Sequence, residues 1–240
     1  MLIKHFPHNK YDQFEEWRRT KLKSQDYREI VEELHARNRN FVDEEFAHEQ
    51  ESLGWRFDKR VEWVRLQSLI KDAVYYSSES LASLTRFRCS NKALEIAISV
   101  LARNRPELLK NHMLKCLDFD GIYQFCLLFQ GQVVSVLIDD YIPAYGGKPI
   151  FCCPFNINEC FSMLLDKALA KLYGSYKDIP TNPVEVLESI ACTPVTVLEP
   201  FSKYFTKEKQ AAFLNTISNN HWCVISKDSK DIQDYGLREN

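Results

Sequence analysis

The chain has 240 residues, 45% of them hydrophobic and 27% charged, with a formal net charge of -2. That length suits one large domain or two small ones and can bury a sizeable core. A near-neutral balance with no dense Lys/Arg run among aromatics argues against a nucleic-acid binder, and no uninterrupted apolar stretch approaches the ~20 residues of a membrane helix.

Tyr11 to Asn40 is densely charged, with apolar residues at helical spacing (Phe14, Trp17, Leu22, Tyr27, Ile30, Val31, Leu34). It reads as one or two amphipathic helices, packed on the rest of the chain or presented to a partner. Phe41 to Leu53 is acidic and poorly periodic, a loop, and Asp72 to Arg88 is a loop with short helical turns. Asn91 to Ala102 is a helix apolar nearly all round, with Asn91 as N-cap. Pro106 to Leu117 reads as a second helix opened by its proline.

Gly121 to Ile138 is a β-hairpin: Tyr123, Phe125, Leu127 and Phe129 alternate, Gln130-Gly131 turns, and Val133 to Ile138 returns. Asn158 is expected to cap a helix that runs to Tyr173 and stops at Gly174. Its late cations Lys167 and Lys171 suit the negative end of a helix dipole. Ile190 to Leu198 and Trp222 to Ser226 read as strands, and Lys207 to Ser218 as a helix.

The eight cysteines are Cys89, Cys116, Cys126, Cys152, Cys153, Cys160, Cys192 and Cys223. No C-x2-C pair occurs, so familiar metal-site spacings are missing. The polar N-terminus from Met1 to Asn9 lacks the apolar core of a secretory signal. Reduced, buried thiols in a cytoplasmic protein are therefore expected.

Several stretches, in order, resemble the calpain family of cysteine proteases. Phe41-Val42-Asp43-Glu44-Glu45-Phe46 is similar to the family's F-x-D-x-x-F, and Val61-Glu62-Trp63-Val64-Arg65 to its W-x-R-P, with Leu66 where proline is usual. Val136 to Pro143 matches V-x-I-D-D-x-x-P, and Lys148-Pro149-Ile150-Phe151 matches K-P-x-F. Glu159 to Tyr176 follows E-x-W-x-x-L-L-E-K-A-Y-A-K-L-x-G-S-Y nearly throughout. The resemblance implies an α+β, papain-like core. A helical first subdomain would carry the nucleophilic cysteine at the start of a buried helix, and an antiparallel β second subdomain the His and Asn. It divides the chain into a charged helical extension (1–40), the first subdomain (41–198) and an incomplete second subdomain (199–240).

Aligned on the buried helix, the resemblance puts Lys92 at the nucleophile position, Arg86 at the oxyanion-hole glutamine and Ala93 at the following tryptophan. An ammonium has the wrong sign for a helix N-terminus and cannot replace a thiolate. Glu159 matches one calcium-site carboxylate of the family, while Ser83 falls where a second is usual. The expectation is an inactive homologue without metal or cofactor, acting as a protein-binding or scaffolding module with cytoskeletal, ciliary or axonemal partners. The alternative is a calcium-dependent cysteine endopeptidase with Cys89 as nucleophile and its His and Asn beyond residue 240.

Overall fold

The computed structural model describes residues 27–37, 39–55, 60–74, 87–104, 109, 113–117, 121–154, 158–192 and 195. The chain divides into two compact units, Met1–Thr196 and Val197–Asn240, and all described residues belong to the first. The expected strand at Trp222 to Ser226 and helix at Lys207 to Ser218 lie outside them. Among the described residues, no helix is long and apolar enough to cross a membrane.

The unit mixes helices with small antiparallel sheets, an α+β arrangement. Helix α1 (Tyr27–Arg37) is amphipathic, and its Ile30 and Leu34 pack against buried Phe41, Ile122 and Leu137. Within the stretch expected to be loop, a short helix α2 (Gln50–Leu53) ends at Gly54. Gly54 has φ 75°, and a Cβ there would meet Lys177 Cβ at 2.5 Å, so both its conformation and its space require glycine. Strand β1 (Glu62–Arg65) runs directly into the single-turn helix α3 (Leu66–Leu69). The two-residue strand β2 (Phe87–Arg88) then leads to helix α4 (Lys92–Asn104).

Asn91 caps α4 as its position predicts: its Oδ1 accepts Leu94 N–H at 3.2 Å. Ala93, Leu94, Ala97, Ile98 and Leu101 of this helix are buried. The expected helix over Pro106 to Leu117 is corrected in part. Met113–Leu117 is strand β3, paired antiparallel with β4 (Ile122–Phe129). β4 and β5 (Gln132–Asp139) form the expected hairpin in continuous register from Ile122↔Asp139 to Phe129↔Gln132. Its two turn residues, Gln130 and Gly131, both have positive φ, the handedness that matches the twist of a two-residue hairpin.

After the hairpin, β6 (Tyr141–Tyr145) lies between β1 and β7 (Lys148–Pro149), while β8 (Cys153–Pro154) pairs with β2. Helix α5 (Phe161–Tyr173) follows, buried from Phe161 to Leu172. Its N-cap is Cys160. The expected cap Asn158 instead accepts Val74 N–H at its backbone oxygen, at 2.7 Å. Helix α6 (Pro183–Ala191) replaces the first part of the strand expected at Ile190 to Leu198. Asn182 caps α6 through Val184 N–H and Pro183 opens it, the sequence signature of a helix start. α4 packs on α6, α6 on β4, and α5 on β5 and β6.

Lys167 and Lys171, expected to complement the negative end of the helix dipole, are buried completely. Lys171 Nζ donates to both oxygens of Asp43 and to Leu137 O at 2.7 Å. Lys167 Nζ donates to Asp139 Oδ1 and to Tyr141 O. Asp139 Oδ2 also accepts Asp43 N–H at 2.7 Å and lies 2.9 Å from His48 Nε2. Burial alone would raise Asp139, but the Lys167 ammonium and the His48 bond hold it below the usual carboxylate range. Each charge gains the partners that burial demands.

Candidate active site

Two of the segments that carry cysteines meet through the shortest sheet. In the β2–β8 pair, Phe87 faces Pro154 and Arg88 faces Cys153. One further step sets Cys89 opposite Cys152, and residues directly opposite on antiparallel strands present their side chains to one face. The Cys152 thiol donates to the Cys89 sulfur at 2.7 Å. Both cysteines are buried and free of disulfides.

Asp166, on the first half of α5, closes this group from the other side. Its Oδ2 accepts Cys152 N–H at 3.1 Å. The donor atoms of Cys89, Cys152 and Asp166 all lie within 4.8 Å of one another. Burial pushes Asp166 up to about 7, against hydrogen bonds from Cys152 that pull it down. Burial, the Cys89 sulfur and the Asp166 charge push the Cys152 thiol well above its ordinary value. Burial also raises Tyr176 well above its ordinary value, with Asp166 adding to the effect.

A shallow recess borders the group, lined by Ile142, Pro143, Phe151, Cys152, Met163, Asp166 and Tyr176. Phe151 and Tyr176, both in its lining, stack directly on each other, 4.1 Å between centroids and 7° between planes. Two sulfurs and a carboxylate are donors a soft metal ion accepts, but the spacing does not suit one. Zn–S bonds of ~2.3 Å at a tetrahedral angle hold their sulfurs ~3.8 Å apart, well beyond the 2.7 Å found here.

The residues singled out from the sequence are distributed differently. Lys92 is the first residue of α4, its side chain 74% exposed and its Nζ 2.6 Å from Glu95 Oε2. Glu159 is buried and forms an isolated parallel bridge with Val74, just ahead of α5. Cys89 sits three residues before α4, next to Cys152. Arg86 and Ser83 lie outside the described residues. Sequence reasoning passed over Cys152 and Asp166 as site residues. The signal was the strand register joining residues 89 and 152, which requires knowing that β2 pairs with β8.

Residues 41–234 match the calpain family cysteine protease domain. The chain is 30% identical over 170 residues to calpain-13 of Rattus norvegicus, covering 66% of this chain and 25% of that protein. It is 28% identical over 163 residues to calpain-A of Drosophila melanogaster, covering 64% of this chain and 19% of the relative. A calpain-type cysteine protease of Zea mays, DEK1, matches 58% of this chain and 7% of its own length at 29% identity. The chain therefore spans a quarter or less of each of these relatives.

These findings overturn the expectation of an inactive homologue, which rested on Lys92 and Arg86. The matched family is one of cysteine proteases, and a thiol lies in a thiol–carboxylate group three residues ahead of Lys92. A lysine at the aligned position removes one thiol from consideration and leaves this second thiol in place. From residue 41 to residue 234, the chain belongs to the calpain family of cysteine proteases.

Proposed function

We propose that this chain is part of a calpain-type cysteine endopeptidase in which Cys89 is the nucleophile. The observation that carries the reading is the Cys89–Cys152–Asp166 group. Peptide-bond cleavage by a thiol needs a sulfur freed of its proton and a group that takes the proton near neutral pH. Cys152 directs its S–H at the Cys89 sulfur. Asp166, titrating at about 7, is the proton acceptor. Cys89 also precedes the N-terminus of α4, whose unpaired N–H groups carry partial positive charge.

On this reading the Cys89 sulfur attacks the scissile carbonyl carbon, and its proton passes to the Asp166 carboxylate, whose oxygen lies within 4.8 Å. The proton then returns to the departing amine, leaving a thioester on Cys89 that water hydrolyses. The group is buried, so a peptide must part the surrounding side chains to reach it. The protein partners expected from the sequence become protein substrates.

The test is cleavage of an unfolded protein by the full natural product, with calcium and with a chelator, for the wild type, Cys89→Ala and Lys92→Ala. Cleavage lost in Cys89→Ala and retained in Lys92→Ala supports the reading. Absence of cleavage by the wild type under both conditions, or cleavage that survives in Cys89→Ala, overturns it.

A further inference from the structure

Cys89 and Cys152 meet the positional demands of a cross-strand disulfide better than those of a metal site. They face each other at adjoining positions of one antiparallel pair, where Cα atoms lie ~4.5–5.5 Å apart. Disulfides span Cα separations of ~4.4–6.8 Å. Their sulfurs are 2.7 Å apart, so closing to the bonded separation of ~2.05 Å takes about 0.7 Å of movement, whereas a metal would drive them apart. The two residues lie 63 positions apart in sequence. A bond between them would tie the segment ahead of α4 to the segment ahead of α5.

We propose that Cys89 and Cys152 form a reversible disulfide that switches this site between a dithiol and a locked, oxidised state. Its consequence for peptide cleavage rests on the function proposed above; the bond itself does not. The oxidant is a hydroperoxide, and hydrogen peroxide is favoured because both cysteines are under a tenth exposed and it is barely larger than water. The Cys89 thiolate attacks one peroxide oxygen, the O–O bond breaks, and the departing hydroxide takes up a proton as water. The resulting Cys89 sulfenic acid is attacked by the Cys152 sulfur, whose proton leaves with the sulfenic oxygen as a second water. The two sulfurs together lose two electrons, and one peroxide is reduced to two waters. A small dithiol reverses the step by exchange.

The experiment oxidises the reduced full-length protein with graded hydrogen peroxide, alkylates the remaining thiols and maps linked peptides under non-reducing conditions. The expected product joins the peptides of Cys89 and Cys152 with loss of two hydrogens, forms before other cysteines are consumed, and disappears on dithiothreitol treatment. Its appearance should raise the wild-type melting temperature by several degrees. Cys152→Ala should lack the product and trap Cys89 as a sulfenic acid, detectable with a dimedone probe. The wild-type map needs no variant to fold. The proposal fails if Cys89 and Cys152 remain alkylated while other cysteines oxidise, or if either is linked mainly to a different cysteine. A cross-link formed in a protein whose reduced form lacks peptidase activity would support the switch and count against the peptidase reading alone.

Discussion

Lys171 Nζ donates to both carboxylate oxygens of Asp43, at 2.9 and 2.8 Å, across 128 positions of sequence. Both side chains are fully buried. The pair joins the first loop after α1 to the last turn of α5, where water cannot compensate either charge.

Removing one partner should therefore cost far more than a surface ion pair does. Lys171→Met should destabilise the protein by about 3–5 kcal/mol, because it breaks a buried ion pair by removing one partner. The double variant Lys171→Met/Asp43→Leu should recover much of that loss. Urea unfolding of the three proteins checks the prediction, and equal losses in single and double variants would contradict it.

Asp139 and Asp166 should give stability opposite dependences on pH. Asp139 is held below its ordinary value, so its contribution is present above the ordinary carboxylate pKa of ~3.9 and lost as pH falls below it. Asp166 is raised to about 7. Its contribution is present below about pH 4 and lost as pH rises towards 7, because the folded state holds the proton more tightly. Asp166→Asn, which keeps an acceptor for Cys152 N–H, should gain stability relative to wild type at pH 8 compared with pH 5. Urea midpoints at the two pH values measure it.

Asn91 binds in two directions. Its Oδ1 accepts Leu94 N–H, and its Nδ2 donates to Pro180 O at 3.0 Å. Asn91→Ala should cost about 1–2 kcal/mol, at the upper end for a helix cap, since the bond towards the loop ahead of α6 is lost as well. Asn91→Asp should recover the cap and not the second bond, an intermediate result readable in thermal melts.

Lys92 should matter little to stability. Its partner Glu95 is one helical turn away, and its side chain is mostly in solvent. Lys92→Ala is expected to change the unfolding free energy by no more than about 0.5 kcal/mol. A loss several times larger would mean that Lys92 has a structural role beyond this ion pair.

The elements legible in the sequence were those whose local signals and burial agree. The family resemblance, the α+β class, helix α4 with its Asn91 cap, the hairpin at Gln130-Gly131 and the stop at Gly174 all follow from short-range chemistry. β3 was misread because Met113–Leu117 becomes a strand by pairing with β4, which no local window contains. α6 was misread for a different reason. Ile190 suggested a strand, while Asn182 and Pro183, eight and seven residues earlier, already announced a helix. Lys167 and Lys171 read only as cations suited to a helix dipole, since their carboxylate partners lie 28 and 128 residues away. The same remoteness hid the thiol–carboxylate group: Cys89, Cys152 and Asp166 come from three separate segments, while Lys92 drew attention through its aligned position. Inactivity was inferred from aligned motif positions, Lys92 and Arg86 above all, and the arrangement in space offered a different thiol.

Helix α5 serves two masters with adjacent residues. Asp166 turns towards the sulfurs, and Lys167 towards Asp139. Successive residues on a helix point ~100° apart, so one rotational setting of the rod satisfies both. Insertion of a single residue ahead of Asp166 would swing the carboxylate away from Cys152 and misdirect both lysines. Substitutions along α5 can be absorbed one at a time, but its phase is indivisible: any drift that retunes the thiols must also unseat the buried charges.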